Sequence, residues 1–292
     1  MIAELRAALA EHRRGGQTIG LVPTMGAFHD GHLSLMRRAR ERCDIVVVSL
    51  FVNPGQFNDK QDLAAYPRDE QRDRELAEQA GADYLFAPPV QKIYPPGFAT
   101  TVSVSGLTEV LEGAARGREH FDAVTTVVAK LLNIVGPDVA YFGQKDAQQA
   151  LIVQRMVRDL DMPVRIELAP TVREPDGLAM SSRNAHLSGT DRERAAALHR
   201  ALDSIRSAIA AGERDPAAAR ARALDELTAD GVEPEYLELV APDTLAPLSA
   251  IDGDAILALI AARVGPTRLI DNELIQPLST ASAAGSNQKG RT

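Results

Sequence analysis

Residues 18–52 read TIGLVPTMGAFHDGHLSLMRRARERCDIVVVSLFV and decide the fold. The runs TIGLVP and DIVVVSLFV are β-rich and apolar, and a helical pattern that begins near Leu33 and Met36 lies between them. Strands that are apolar on both faces and alternate with helices are typical of a parallel sheet that is covered on each side. The stretch therefore predicts a strand–helix–strand unit with a right-handed crossover.

The same alternation continues through the first two thirds of the chain. Further β-rich runs are ADYLFAP, TVSVS, DVAYFG and VRIELAP, and helices are predicted over residues 69–81, 121–135 and 147–160. We therefore predict an α/β fold with a Rossmann-like, doubly wound parallel sheet for residues 1–186. In such sheets, ligands bind beyond the carboxyl ends of the strands.

The pattern changes near residue 187. A long Ala/Arg/Glu helix over residues 191–211 precedes the helical stretch DPAAARARALDELTAD and two strands, EYLELV and AILALIAARV. These elements predict a smaller C-terminal α+β domain over residues 187–282. Residues 283–292 are small and polar, with nothing to bury, and we expect them to be disordered.

Composition excludes several classes of function. The 292 residues carry a formal net charge of −8, which disfavours extended nucleic-acid binding, and a single cysteine cannot form an internal disulfide. The longest apolar run, residues 45–52, is too short to span a bilayer, and the first sixteen residues lack the apolar core of a signal peptide. We expect a cytoplasmic enzyme without nucleic-acid or membrane partners.

The first candidate site is VPTMGAFHDGH, residues 22–32, in which a strand ends and a helix begins. His29 and His32 are three residues apart, so both face one side of a first helical turn whose N–H groups and dipole favour phosphate. Gly31 allows a ligand to approach the backbone. The same spacing is compatible with metal ligands or with surface histidines.

The second candidate is SLFVNPGQF, residues 49–57, where a buried strand is followed by Asn53 and Gln56. An amide at the carboxyl end of a strand offers both a donor and an acceptor to a hydroxy acid. The alternative is that these amides only form the turn that Asn-Pro-Gly favours.

The third candidate is YFGQKDAQQ, residues 141–149. Lys145 at a helix start is a flexible charge suited to phosphate, and Gln149 lies one turn further on the same side. The alternative is a solvated helix N-terminus in which Asp146 interacts with the helix dipole.

Two more loops contain hydroxyl groups and cations. TVREPDGLAMSSRN, residues 171–184, ends in two serines and Arg183, which can surround a polyphosphate but are also ordinary loop composition. LEGAARGREHF, residues 111–121, brings Arg116, Arg118 and His120 into a glycine-rich loop, or forms only a helix-capping charge cluster.

The His29-x-Gly-His32 pair and the later Met180-Ser-Ser-Arg183 segment resemble the nucleotidylyl-transferase superfamily, whose HxGH and KMSKS-like segments bind ATP phosphates from two sides. The strings VPTMGAFHDGH, FVNPGQF, AYPR, FGQKDAQQ and PTVREPDGLAMSSRN resemble the pantothenate synthetase family, in order over residues 18–272. The resemblance implies a homodimeric ligase that uses ATP and Mg²⁺ to join pantoate to β-alanine through a pantoyl-adenylate. It also implies that the smaller domain is a lid.

The resemblance further implies a role for each site residue. His32 would act on the phosphates as the acid-type catalytic residue with His29 beside it, and Lys145 and Arg183 would complete the catalytic set. Asp73 stands where the family has an acidic residue associated with Mg²⁺. The implied ATP-binding residues are Met25, Gly26, His29, His32, Gly143, Gln144, Lys145, Asp146, Val172, Met180, Ser181, Ser182 and Arg183. The implied pantoate and β-alanine residues are Gln56, Gln149, Asn53, Arg116 and His120.

Three positions depart from the family pattern. Gln144 replaces a usual glutamate before the lysine, and Arg72 precedes Asp73 where a second acidic residue is sometimes found. The Arg-x-x-His loop is one residue longer here, so either Arg116 or Arg118 is the counterpart. The distance from the preceding glycine favours Arg116.

Two other classes of function share the phosphate-binding pattern. An adenylyltransferase with a phosphate acceptor would need cations where Asn53, Gln56 and Gln149 stand. A regulatory nucleotide-binding module would lack an acceptor pocket. A tRNA ligase is disfavoured by the acidic net charge and by the lack of a recognisable anticodon-binding domain.

Overall fold

A computed structural model of the chain describes residues 1–276. The chain divides into two compact units, one of them Met1–Ala185 and the other beginning at His186. The predicted disordered tail, residues 283–292, lies outside the described residues.

The first unit contains a five-stranded parallel sheet, which confirms the predicted doubly wound fold. Its strands are β1 (Ile19–Thr24), β2 (Ile45–Leu50), β3 (Tyr84–Phe86), β4 (Val139–Gly143) and β5 (Arg165–Ala169), in the order β3-β2-β1-β4-β5. Its helices are α1 (Ile2–Arg14), α2 (Asp30–Arg42), α3 (Lys60–Ala65), α4 (Glu70–Gln79), α5 (Val90–Ile93), α6 (Glu112–Arg116), α7 (Arg118–Val135) and α8 (Ala147–Asp159). Short 3-10 turns occupy Pro54–Gln56, Gln144–Asp146 and Ser182–His186.

The sheet is buried on both faces, as the apolar runs require. Helix α2 packs on β1 and β4, where its Met36 is fully buried and joins Val22, Val46 and Val48 in one core. Val47 alternates with these side chains and is equally buried, so the opposite face is also covered. Helix α7 packs against β1, and α8 packs against β4 and β5.

The predicted strand TVSVS is not a strand in the structure. Its backbone bonds to helix α7 instead of to a neighbouring strand: Val102 N–H donates to Thr126 Oγ1 at 2.9 Å, and Thr125 Oγ1 donates to the Val102 carbonyl at 2.6 Å. The prediction of a strand here is wrong, because threonine hydroxyls of helix α7 take the place of a strand partner.

The second unit packs helices on a three-stranded antiparallel sheet of order β6-β7-β8. The predicted long helix over residues 191–211 is two helices that break at Ala196, and the strand β8 adds to the two predicted strands. The elements are α9 (Gly189–Ala195), α10 (Ala197–Ala210), α11 (Pro216–Ala229), β6 (Pro234–Val240), β7 (Ile256–Val264) and β8 (Thr267–Ile275). Over residues 1–276, none of the helices combines the length and the apolar character that crossing a bilayer requires.

Candidate active site

The candidate loops leave the carboxyl ends of neighbouring parallel strands. The segments after β1, β2, β4 and β5 therefore emerge at one edge of the sheet. Strand β1 has β2 on one side and β4 on the other, so the strand order reverses between β1 and β4. Such a reversal opens a crevice beyond the strand ends, and the histidine loop and the lysine loop lie on its two sides.

The histidines form the cap of helix α2. Gly31 N–H donates to His29 Nδ1 at 3.2 Å, and His29 N–H donates to His32 Nδ1 at 3.4 Å, so the two side chains satisfy two N–H groups of the helix start. Their rings lie 4.1 Å apart. A side chain at Gly31 would place its Cβ 2.9 Å from the His29 ring, which explains why glycine occupies the position.

Both histidines are neutral at physiological pH. Burial, the His29 ring and the Lys145 ammonium lower the pKa of His32 to about 3. Burial, followed by Lys145, also lowers the pKa of His29. Because each Nδ1 accepts a backbone N–H, the hydrogen-bond pattern assigns the proton to Nε2. The pair therefore offers neutral N–H donors, and His32 does not supply a proton from an imidazolium.

The loop after β4, which contains Lys145, and the loop after β5, which leads to Ser181 and Arg183, both approach the histidines. Lys145 is close enough to shift the pKa of both imidazoles, and Glu174 of the loop after β5 acts on His29. Met180 Cβ lies 3.8 Å from the position that a Cβ on Gly31 would take. Three segments, from the loops after β1, β4 and β5, thus converge within the first unit.

The loop after β5 is an ordered turn. Arg173 and Ala179 form an isolated antiparallel bridge, and Met180 N–H donates to the Val172 carbonyl at 3.0 Å. Ser181 Oγ accepts from Arg183 N–H at 3.3 Å. The segment Ser181 to Arg183 directly follows Met180, which lies near Gly31.

Tyr66 is a site residue that the sequence analysis did not single out. Its hydroxyl hydrogen bonds to Ser182, and burial raises its pKa. The carboxylate of Asp62, one turn earlier, lies 4.0 Å from the Arg183 guanidinium. The string AYPR was a signal for this residue, but only as part of a family resemblance.

The amides after β2 form a second cluster. Asn53, 1 % exposed, donates to Gln56 Oε1 and to the Ala123 carbonyl, both at 3.1 Å, and accepts from Tyr94 Oη at 2.9 Å. His120 Nδ1 lies 2.9 Å from the Gln56 carbonyl. Asn53 therefore orients Gln56, whereas Gln56 is only partly buried.

Arg116 belongs to this cluster and Arg118 does not. Burial and the Arg116 guanidinium lower the pKa of His120 to about 4, so the two side chains are near neighbours. Arg116 Nε donates to Glu112 Oε2 at 2.8 Å. The half-exposed Arg118 instead donates to Ser103 Oγ at 2.8 Å. The geometry favours Arg116 as the counterpart of the family arginine.

Gln148 holds the start of residues 111–121, the segment that contains Arg116. The sequence did not indicate this role. Its Oε1 accepts from Glu112 N–H at 3.0 Å, and its Nε2 donates to the carbonyls of Leu107 and Val110 at 2.7 and 2.9 Å. Gln148, Glu112 and Leu107 are buried, whereas Val110 is exposed. Neighbouring Gln149 is partly exposed, and so are Met25, Gly143 and Gln144, whereas Asp146 is exposed and Gly26 is buried.

Asp73 is placed differently from a typical magnesium ligand. It is 1 % exposed, and its two oxygens accept from Ala27 N–H and Phe28 N–H, each at 2.8 Å. Mg²⁺ prefers oxygen ligands that leave room for its remaining waters. This placement does not fit a direct metal contact.

One cluster in residues 1–276 has the spacing of metal ligands, and it lies in the second unit. The ligand atoms of His199, Asp203 and Glu273 are all within 4.8 Å of one another. Arg206 forms ion pairs with both carboxylates, at 2.9 Å to Glu273. Because the guanidinium already supplies positive charge there, we interpret the cluster as an ion-pair network between α10 and β8.

Strand-end loops that combine cations with N–H donors at a helix start are typical of α/β enzymes that bind phosphorylated ligands. A family model described as pantoate-beta-alanine ligase matches residues 1–274. The chain therefore belongs to the pantoate–β-alanine ligase family.

Relatives and solved structures agree with this assignment. The chain is 55 % identical over 276 residues to pantothenate synthetase of Moorella thermoacetica, covering 94 % of this chain and 97 % of that protein. A crystal structure of the Thermus thermophilus enzyme superposes with a TM-score of 0.89 at 48 % identity, covering 95 % of this chain and 98 % of that one. A Francisella tularensis pantoate-beta-alanine ligase, described as complexed with beta-gamma ATP and beta-alanine, gives a TM-score of 0.75 at 33 % identity, covering 92 % and 95 %.

The depressed pKa of His32 predicts a pH dependence of stability. Because the unfolded chain binds a proton near pH 6.5 and the folded chain only near pH 3, this residue makes stability fall as the pH falls between those values. In His32→Gln we expect the free energy of unfolding to decrease less steeply with falling pH, by up to ~1.4 kcal/mol per pH unit. Urea unfolding of the wild-type protein and the variant from pH 7 to pH 4.5 measures this difference. An equal pH dependence of the unfolding free energy in the two proteins would contradict a neutral His32.

Proposed function

We propose that this protein condenses pantoate with β-alanine to pantothenate, using ATP and releasing AMP and pyrophosphate. Family membership supports the reaction, and the convergence of His29, His32 and Lys145 at the switch point of the sheet is the single observation that carries it. The product of the first step is a pantoyl-adenylate.

In the first step a pantoate carboxylate oxygen attacks the α-phosphorus of ATP. A bond forms between them, the bond from that phosphorus to the bridging oxygen breaks, and pyrophosphate leaves with the electron pair. The nucleophile is already ionised, so no general base is needed. What the protein supplies is alignment and stabilisation of charge on the phosphate oxygens. We assign that role to Nε2–H of His29 and His32, with Lys145 and Arg183 as the cations.

The remaining nucleotide contacts are proposed from the resemblance and from their position in the same loops. They are the turn residues Met25 and Gly26, the lysine-loop residues Gly143, Gln144 and Asp146, and the residues Val172, Met180, Ser181 and Ser182. Backbone N–H groups at a strand end and at a helix start suit phosphate and ribose oxygens.

Pantoate is proposed to bind at the amide cluster. Gln56 is oriented by Asn53 and, with Gln149, offers neutral donors and acceptors to the hydroxyl groups of a small acid. His120 contacts the Gln56 carbonyl, Arg116 lies near His120, and both would complete the pantoate and β-alanine pocket. An uncharged amide pair suits hydroxyl groups better than it suits a second phosphate.

In the second step the amine of β-alanine attacks the acyl carbon of the adenylate. The new carbon–nitrogen bond forms, the bond to the AMP oxygen breaks, and the amine proton is lost. Exclusion of water protects the mixed anhydride until then. We propose, on the resemblance, that residues 1–186 bind ATP and pantoate and that the smaller domain acts as a lid.

Mg²⁺, a homodimeric state and a cytoplasmic location are further parts of the proposal. We propose that Mg²⁺ arrives with ATP and neutralises charge on its β- and γ-phosphates, with Asp73 outside its ligands. The homodimer and the location rest on the family resemblance.

The two alternative functions are less well supported. An adenylyltransferase that joins AMP to a phosphate acceptor would need cations at the positions of Asn53, Gln56 and Gln149. A binding module would not need an acceptor pocket beside the phosphate site. Family membership over nearly the whole chain argues against both.

The direct test of the function is the dependence of AMP formation on substrates. We expect AMP to form only when pantoate, β-alanine and ATP are all present, because the adenylate is held until the amine attacks. Exchange of labelled pyrophosphate into ATP should need pantoate but not β-alanine. ATP binding without turnover would support the regulatory module instead.

A second prediction concerns the N–H group that His32 offers to the phosphates. His32→Ala should lower the rate of adenylate formation by about two to three orders of magnitude, the usual scale for one preorganised donor. Single-turnover pyrophosphate release with pantoate measures it. His12→Gln is the matched control, because His12 contacts Gln17 and Tyr84 instead of the site. A near-normal rate in His32→Ala would remove His32 from the mechanism.

A third prediction concerns Gln56 in the amide cluster. Gln56→Ala should raise the KM for pantoate by about tenfold or more, the scale of a hydrogen bond to a charged or strongly polar group, with less effect on the KM for ATP. Gln91→Ala, an exposed glutamine on α5, is the control. An unchanged KM for pantoate would exclude Gln56 from the pocket.

A further inference from the structure

The turn between β1 and α2 contains two consecutive residues in left-handed conformation. Gly26 has φ +93° and Ala27 has φ +53°. Glycine adopts such angles freely, but an alanine there costs about 1–2 kcal/mol. The turn leads directly into His29 and His32, so something in the surrounding structure must hold it.

The carboxylate of Asp73 contacts this turn. Its Oδ2 accepts from Ala27 N–H and its Oδ1 from Phe28 N–H, each at 2.8 Å. Hydrogen bonds to an ionised acceptor are stronger than those between neutral groups. The two bonds fix two successive peptide planes, so they determine the direction in which the chain enters α2.

Asp73 is itself held rigidly. It lies on α4, which packs against α2, and Ala77 one turn later belongs to the same core as Phe28 and Met36. A Cβ on Gly26 would come within 2.9 Å of Asp73 Oδ2 and 2.5 Å of Leu50 Cδ1. The carboxylate is thus packed directly against the turn, and Asp73 is only 1 % exposed.

The two imidazoles follow the clamped residues without a flexible spacer. Phe28 is 1 % exposed, and its ring lies 5.6 Å from that of His32. His29 is the next residue and caps the helix through its Nδ1. A shift of residues 27 and 28 therefore moves both histidines.

We propose that Asp73 is a positioning residue whose carboxylate clamps residues 26–28, so that His29 and His32 present their Nε2–H groups to the nucleotide phosphates, and that it does not ligate Mg²⁺. The identity of the nucleotide rests on the proposed function. The clamp itself does not, because it is formed only by groups of this chain.

Asp73→Asn tests the clamp, because the amide keeps one acceptor and turns an N–H group toward the other backbone N–H. We expect kcat to fall about 100-fold, the scale of an ångström-sized misplacement, while the KM for pantoate stays within about threefold. The Mg²⁺ concentration for half-maximal rate should not change. Asp69→Asn is the control: Asp69 caps the same helix, and asparagine also serves as an N-cap.

NMR of the ligand-free protein separates positioning from general destabilisation. Asp73→Asn should displace the amide signals of Ala27 and Phe28 and the imidazole signals of His29 and His32, and Asp69→Asn should leave all four unchanged. Wild-type imidazole signals together with wild-type kcat, even with a lowered Tm, would overturn the proposal. So would recovery of the rate by excess Mg²⁺ or Mn²⁺, which would make Asp73 a metal ligand.

A second variant keeps the test valid if Asp73→Asn folds poorly. Asp73→Asn/Ala27→Gly removes the cost of the positive φ at residue 27, so we expect it to fold and still to show a kcat well below that of Ala27→Gly. Equal kcat values in these two proteins would overturn the proposal. If the wild-type protein makes no pantothenate, the proposed function fails, but the NMR comparison still decides the clamp.

Discussion

Parallel pairing of β1 with both β2 and β4 is the constraint on which the site depends. Parallel strands all end at one edge, so loops that are distant in sequence are forced into one crevice. The burial of both faces by α2, α7 and α8 makes this arrangement stable. The chemistry of the site then depends on which residues occupy the first few positions after each strand, because the parallel sheet already brings these positions together.

The start of helix α2 shows how local structure sets the chemistry. A helix start has unpaired N–H groups, and here His29 and His32 accept two N–H groups of this segment through Nδ1. Capping fixes the tautomer, and burial keeps both rings neutral. The histidines thus offer directed N–H donors, and in the proposed function the positive charge comes from Lys145 and Arg183. Neutral imidazoles add no further positive charge beside Lys145, whose charge already lowers the pKa of both rings.

Much of the fold and part of the site could be predicted from sequence, for identifiable reasons. The apolar runs gave the sheet, and residues after strand ends, such as Lys145 and Gln56, were recognisable by position. Gln148, Tyr66 and the contacts of Asp73 with the turn before α2 were not predicted, because the partners lie 36 or more residues away and no local pattern encodes such contacts. The segment TVSVS was predicted to be a strand because an alternating pattern is typical of extended chain. Such a pattern does not indicate which groups form hydrogen bonds with the backbone.

Long-range contacts also divide the roles of the two amides in the proposed pantoate pocket. Asn53 uses its amide group on Gln56, Ala123 and Tyr94, so it has a supporting role and Gln56 is the group presented to a ligand. Arg116 forms an ion pair with Glu112, and this pairing reduces the net positive charge next to the pocket. In the proposed function, Lys145 and Arg183 would supply positive charge on the side of the phosphates, and the pantoate side would stay close to neutral. A triphosphate and a small hydroxy acid would each meet a matching environment, which is what an in-line attack by a carboxylate on phosphorus requires.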